Sequence, residues 1–229
     1  MSIESEIKKY TMSRPLRLHT PGHKGGLDDC DITELVDGSF PGDCVKAAER
    51  DIAKLYGAKN AHLLCCGSSQ GVKAAIYRAN ACGIADINSH RSVFDGFKLI
   101  NKSVKTVGKR GSVMPVTVKD IEGAIDGDTG VVVVTSPTYF GFIADIDGIG
   151  ELCRRKGLML IIDGAHGAHF GFSPLLPERF ADKCDMCNVS THKTLSSFNQ
   201  GAILFDNIGG LDEPVDIMGT TSPSYPLFA

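Results

Sequence analysis

No stretch of the chain approaches the roughly 20 consecutive apolar residues that a membrane-spanning helix needs, and the charged start MSIESEIKKY has none of the apolar core of a secretory signal. Blocks of Lys or Arg are also missing. The 24 basic residues stand against 27 acidic ones for a net charge of -3, with the charges scattered, so there is no electrostatic footprint for nucleic acid or an anionic lipid surface. Neither G-x-x-x-x-G-K-[ST] nor G-x-G-x-x-G occurs, which removes the commonest nucleotide and dinucleotide signatures. Low-complexity tracts and internal repeats are absent too. These absences lead us to expect a cytoplasmic protein with no membrane and no nucleic-acid partner.

What is present is a globular composition: 229 residues, 42% of them apolar, enough for one large domain or one and a fraction. Eight cysteines at irregular spacing do not form the framework of a small secreted domain and read as reduced thiols. Cys184 and Cys187 make a C-x-x-C, but no second chelating pair accompanies them, so buried thiols on strands are favoured over a zinc site or a redox pair. Glycine is in excess, 26 of 229 or about 11% against a usual ~7%. Many glycines stand where apolar runs end, as loops that bring backbone close to a ligand require.

Short apolar runs alternate with helical stretches, the pattern of a wound α/β domain. The spacing predicts a helix over 46–56, with Ala48, Ile52, Leu55 and Tyr56 on its inner face and Gly57 as its stop. A second runs from about 69 to 82, with Val72, Ala75, Ile76 and Ala79 inside and Gly83 behind. A third covers about 145–156, acidic in its first turn, basic in its last, and closed by Gly157. Strands are expected at 61–66 (AHLLCC), 131–135 (VVVVT), 158–163 (LMLIID), 186–190 (MCNVS) and 202–205 (AILF). Valine runs without polar alternation suit a parallel sheet covered by helices on both faces. Such sheets gather ligands beyond the carboxyl ends of their strands. Four polar clusters follow these runs directly: Gly67-Ser68-Ser69, Ser136-Pro137-Thr138-Tyr139, Asp163-Gly164-Ala165-His166 and Thr191-His192-Lys193-Thr194. A parallel sheet brings all four to one edge.

Each cluster has an ordinary reading and a chemical one. Gly67-Ser68-Ser69 joins a strand to a helix, so its backbone N–H groups can face an anion, or Ser can simply cap the helix. Asp163 ends an apolar run with no cation beside it in sequence; it can cap the next loop, or serve as partner of a protonated ring nitrogen. His166 and His169 form an H-x-x-H, weak for zinc without a third ligand nearby. Lys193 is a solvated surface charge or, shielded beside an anion cradle and a lone carboxylate, an amine that traps a carbonyl. Anion cradle, acidic partner for a ring nitrogen and carbonyl-trapping lysine are together what pyridoxal 5′-phosphate requires.

The motifs Thr20-Pro-Gly-His-Lys-Gly-Gly26, Asp31-Ile-Thr-Glu-Leu35, Ile87-Asn-Ser-His-Arg-Ser-Val93, Thr135-Ser-Pro-Thr-Tyr-Phe-Gly141, Asp163-Gly-Ala-His-Gly-Ala-His-Phe170, Ser190-Thr-His-Lys-Thr-Leu195 and Thr220-Thr-Ser-Pro-Ser-Tyr-Pro226 resemble those of the Orn/Lys/Arg decarboxylases, in the same order across nearly the whole chain. That family uses pyridoxal phosphate on the aspartate-aminotransferase fold (fold type I). The resemblance implies a three-layer α/β/α domain with a mostly parallel central sheet. It divides the chain into an N-terminal segment, 1–19, and a cofactor-binding large domain, 20–229, whose remainder and C-terminal small domain are expected to be missing.

For the site, the resemblance implies Lys193 as the cofactor-bonding lysine and Asp163 as the partner of the pyridine nitrogen. Ser68 and Ser69 would hold the phosphate, helped by Ser190 and His192. His90 would stack on one ring face and Ala165 pack on the other, with His166 or Thr138 at the ring hydroxyl. Thr220, Thr221 and Ser222 match a segment that approaches the phosphate of a neighbouring subunit, which implies a homodimer or higher homo-oligomer. The implied reaction decarboxylates lysine, ornithine or arginine to a diamine or agmatine, with His192, His90 or a cysteine returning the proton. A shortened, non-catalytic cofactor-binding or assembly module and an aminotransferase or other lyase on the same scaffold are the alternatives. Gly164 departs from the family, whose members generally carry Glu there.

Overall fold

The computed structural model describes residues 2–17, 21–32 and 42–228. Thr20, positions 33–35 of the second motif and the expected boundary between 19 and 20 lie outside the described residues. In chain order the elements are α1 (Ile3–Met12), α2 (Gly42–Tyr56), β1 (Asn60–Leu64), α3 (Ser68–Ala79), β2 (Cys82–Asp86), α4 (Arg91–Leu99), β3 (Val104–Val107), α5 (Val118–Glu122), β4 (Thr129–Thr135), α6 (Ile146–Lys156), β5 (Met159–Asp163), β6 (Met186–Ser190), α7 (Thr191–Thr194), β7 (Ala202–Asp206) and α8 (Asp212–Met218).

The strands form one sheet in the order β1-β7-β6-β5-β4-β2-β3. Strands β3, β2, β4, β5 and β6 pair in parallel, while β7 is antiparallel to both its neighbours, β6 and β1. Since β1 and β6 both oppose β7, they share one direction. The carboxyl ends of β1, β2, β4, β5 and β6 therefore emerge at one edge.

Alternate residues of each strand face opposite layers. On one face Val132 and Val134 of β4, Leu160 and Ile162 of β5, and Ile203 and Phe205 of β7 pack with Ala53 and Tyr56 of α2 and Ile149 and Leu152 of α6. On the other, Val131, Val133, Ile161, Met186 and Leu204 meet Val72, Ala75 and Ile76 of α3 and Val93 and Phe97 of α4. Both faces are dry, which is why the valine run carries no polar alternation. The result is the expected three-layer α/β/α domain. A third apolar cluster joins Ile3 and Ile7 of α1 to Cys44 of α2 and to Tyr225. No helix among the described residues is long and apolar enough to cross a membrane.

Helix α6 follows its sequence signals closely. The Asp145 carboxylate accepts from Gly148 N–H at 2.9 Å, and Gly157 closes the helix at φ 67°. Two expectations need correction. Leu55 is 54% exposed, because the buried stripe of α2 runs instead through Cys44, Glu49, Ala53 and Tyr56. Gly83 does not stop α3; Asn80 does so, in the left-handed conformation. Gly83 lies inside β2, where the Phe97 ring packs so closely that a Cβ would come within 2.7 Å of it. The thiols of Cys184 and Cys187 are free and buried, and burial pushes that of Cys184 far above its ordinary value.

Candidate active site

Beyond the shared strand ends lies a cavity of about 660 Å³. All four polar clusters reach it, through Gly67, Ser68 and Ser69, through Thr135 and Tyr139, through Asp163, Ala165 and His166, and through Ser190, His192 and Lys193. The β2–α4 junction adds Asn88, His90 and Ser92. Because β7 runs the opposite way, its entry strand end brings Asn199 and Gln200 to the same rim.

At one wall the chain enters α3 through Gly67, whose φ of 73° favours glycine, and no side chain caps the helix. The expected alternative of a serine cap is therefore not realised: Ser68 and Ser69 occupy the first helical positions. The first-turn N–H groups and the positive end of the helix dipole face the cavity together with these hydroxyls. Ser68 Oγ lies 2.6 Å from Ser190 Oγ, which joins the wall to the end of β6. This is a cradle with the donor chemistry for an anion.

Asp163, 4% exposed, sits at the end of β5 beside its register partner Asn188. The Asn188 amide Nδ2 donates to Asp163 Oδ1 at 3.3 Å. Burial pushes the carboxyl above its ordinary range, against the opposing pull of that amide, of His90 and Lys193, and of the Ala165 N–H. A cationic group entering the cavity would meet a carboxylate that gains from its charge. The loop leaving β5 is tied to β6 by Gly164 N–H donating to Asn188 O at 2.9 Å, and this holds Ala165 at the cavity wall.

Lys193 stands in the single turn α7 that follows β6. Its Nζ donates to His166 Nε2 at 3.1 Å. Burial, and after it the Lys193 charge, push the His166 imidazole below its ordinary value, so its nitrogen is available to accept. The Tyr139 ring meets His166 edge-on, with centroids 5.9 Å apart. His90 caps α4: its Nδ1 accepts from Ser92 N–H at 3.2 Å, which places the proton of the neutral ring on Nε2. His192 is oriented the other way, with Nδ1–H donating to Gly201 O at 2.9 Å.

Three expected positions are not brought to this cavity. Thr138 is buried, its hydroxyl donating to Val113 O at 3.2 Å and accepting from Phe142 N–H at 3.2 Å, so it closes its own loop instead of facing the space. Thr220 and Thr221 follow α8, exposed and away from the cavity wall of their own chain. Conversely, Thr135, Tyr139 and Gln200 line the cavity without having been singled out. Tyr139 lies within a polar cluster of the sequence and Thr135 ends the strand before it; Gln200 carries no local signal, because its place depends on β7 running backwards.

The family model for Orn/Lys/Arg decarboxylase, major domain, matches residues 111–229. An arginine decarboxylase of Bacillus cereus is 28% identical over 258 aligned positions, covering 97% of this chain and 56% of that protein. The chain thus spans about half the length of the curated relatives it matches. Among solved structures, lysine decarboxylase A from Pseudomonas aeruginosa aligns with a TM-score of 0.78 at 18% identity, covering 99% of this chain and 38% of that one. A structure of SPT with PLP aligns at 0.66 and 17% identity, over 99% and 55% respectively. These last two show the shared fold, and the family match covers more than half of the residues. The chain belongs to the Orn/Lys/Arg decarboxylase family.

Proposed function

We propose that this chain binds pyridoxal 5′-phosphate and decarboxylates a basic amino acid, lysine, ornithine or arginine, to the corresponding diamine or agmatine. The observation that carries the reading is that one cavity holds the uncapped start of α3, the buried Asp163 and the Lys193 amine. These groups fit a molecule that is anionic at one end, basic at a ring nitrogen and electrophilic at a carbonyl. The names of the relatives point to basic amino acids.

The cofactor, when bound, supplies an aldehyde that condenses with amines and a protonated heterocycle that accepts the electron pair left by departing carbon dioxide. The protein supplies the rest. Ser68, Ser69 and Ser190 with the N–H groups of α3 would hold the phosphate, with His192 beside them. Asp163 would keep the ring nitrogen protonated. His90 and Ala165 would flank the ring and fix its plane, and orientation of the breaking bond relative to that plane selects decarboxylation. Lys193 is the amine for the aldehyde, and His166 accepts its hydrogen bond. His192 Nε2 and His90 Nε2 are the histidine atoms left to hold or move a proton. We also assign Thr220 and Thr221 to the phosphate of a neighbouring copy, in a homodimer or higher homo-oligomer.

The test is to supply the purified chain with cofactor and each of the three amino acids, and to measure amine and carbon dioxide. Release of both from one of them is expected. Accumulation of pyridoxamine phosphate without carbon dioxide would assign an aminotransferase instead, and cofactor binding with no product would leave a binding or assembly module.

A further inference from the structure

Asn188 takes no part in lining the cavity, yet it is wholly buried and only half satisfied. Its side chain is 0% exposed, its Nδ2 donates to Asp163 Oδ1, and its Oδ1 has no partner and no solvent among the described residues. The surroundings leave little freedom. Asn188 faces α3 at Gly71, where an added Cβ would come within 3.2 Å of the Asn188 Cβ and 3.6 Å of the buried Leu204 Cβ. A buried amide with an unused carbonyl is a poor choice for packing alone, since an apolar residue would fill the space without desolvating a polar atom.

We propose that Asn188 is the positioning residue for Asp163, its amide N–H orienting the carboxylate and favouring its charged form for a cationic heterocycle. A donor N–H at the carboxylate favours the anion over the acid, against the burial that favours the acid. The other titratable or charged groups acting on Asp163 are His90 from the β2–α4 junction, His166 from the loop after β5, and Lys193 from α7. Each of them lines the cavity. Among the described side chains acting on Asp163, Asn188 is the one that does not line the cavity. The inference rests on the cofactor reading above for its heterocycle, but the hydrogen bond itself does not.

The experiment uses the full chain and compares wild type with Asn188→Leu and, as a smaller replacement should leucine overpack, Asn188→Ala. In the cofactor-free protein, carboxyl-carbon NMR follows the titration of Asp163, with its signal assigned by loss in Asp163→Asn. Removing the donor is expected to move that titration to higher pH by about one unit. With pyridoxal phosphate added, absorbance titrations should show affinity at neutral pH reduced about tenfold or more, and the acid limb of binding displaced upward in the same direction. An unmoved Asp163 titration in a folded variant overturns the positioning role. Wild-type protein that binds no pyridoxal phosphate while the NMR shift is seen would sink the cofactor reading and leave the Asn188–Asp163 pairing in place.

Discussion

Lys193 Nζ and His166 Nε2 lie 3.1 Å apart, with the imidazole as acceptor. Burial and the lysine charge make protonation of His166 harder in the folded chain than in the unfolded one, although Asp163 pulls the other way. The stability this residue contributes is therefore complete above the ordinary histidine value of 6.5 and drains away as pH falls through it toward the lower folded value. Melting temperature measured from pH 7.5 down to 5.5 should decline more steeply for the wild-type chain than for His166→Gln. Parallel curves would show that the contact leaves His166 untouched.

The glycine at 164 has a packing cause. A Cβ there would run into the Phe180 ring, within 2.6 Å of its Cε2, and would stand 3.0 Å from Asn188 O. Phe180 itself is buried against Phe170, edge to face with centroids 6.0 Å apart. The space into which any side chain at 164 would project is filled by a phenyl ring. Gly164→Ala should destabilise the fold by about 1–3 kcal/mol in urea denaturation, as overpacking does. Adding Phe180→Leu should recover part of the loss, and strictly additive losses in the double variant would contradict this account.

Asp163→Ala removes the group assigned to the ring nitrogen without touching the phosphate cradle. Cofactor should still bind, while kcat/KM for decarboxylation falls by several kcal/mol, on the order of a hundredfold or more. Retained turnover would remove Asp163 from the reaction.

How much of this was legible in the sequence depended on whether the signal was local. Strands β4, β5 and β6 announce themselves through runs such as VVVV and LMLII that only a sheet covered on both faces buries, and α6 carries its own caps in Asp145 and Gly157. By contrast β2, with the sequence CGIAD, and β3, with VKTV, are too short and too mixed to stand out, and Gly83 reads as punctuation until Phe97 is seen lying over it. Leu55 falls outside the inner face of α2 because apolar spacing alone does not say which of two neighbouring stripes meets the sheet. In the site, the strand-end clusters were visible because parallel strands share an exit edge. The places of Asn188 and Gln200 were not, since one depends on register across β5 and β6 and the other on the reversed direction of β7.

The central claim is that Lys193 bonds the cofactor aldehyde. Incubating the chain with pyridoxal phosphate, reducing with borohydride and mapping the labelled peptide tests it directly. The account predicts a single pyridoxyl label on Lys193, lost in Lys193→Ala; a label on another lysine, or one that persists in that variant, would contradict it.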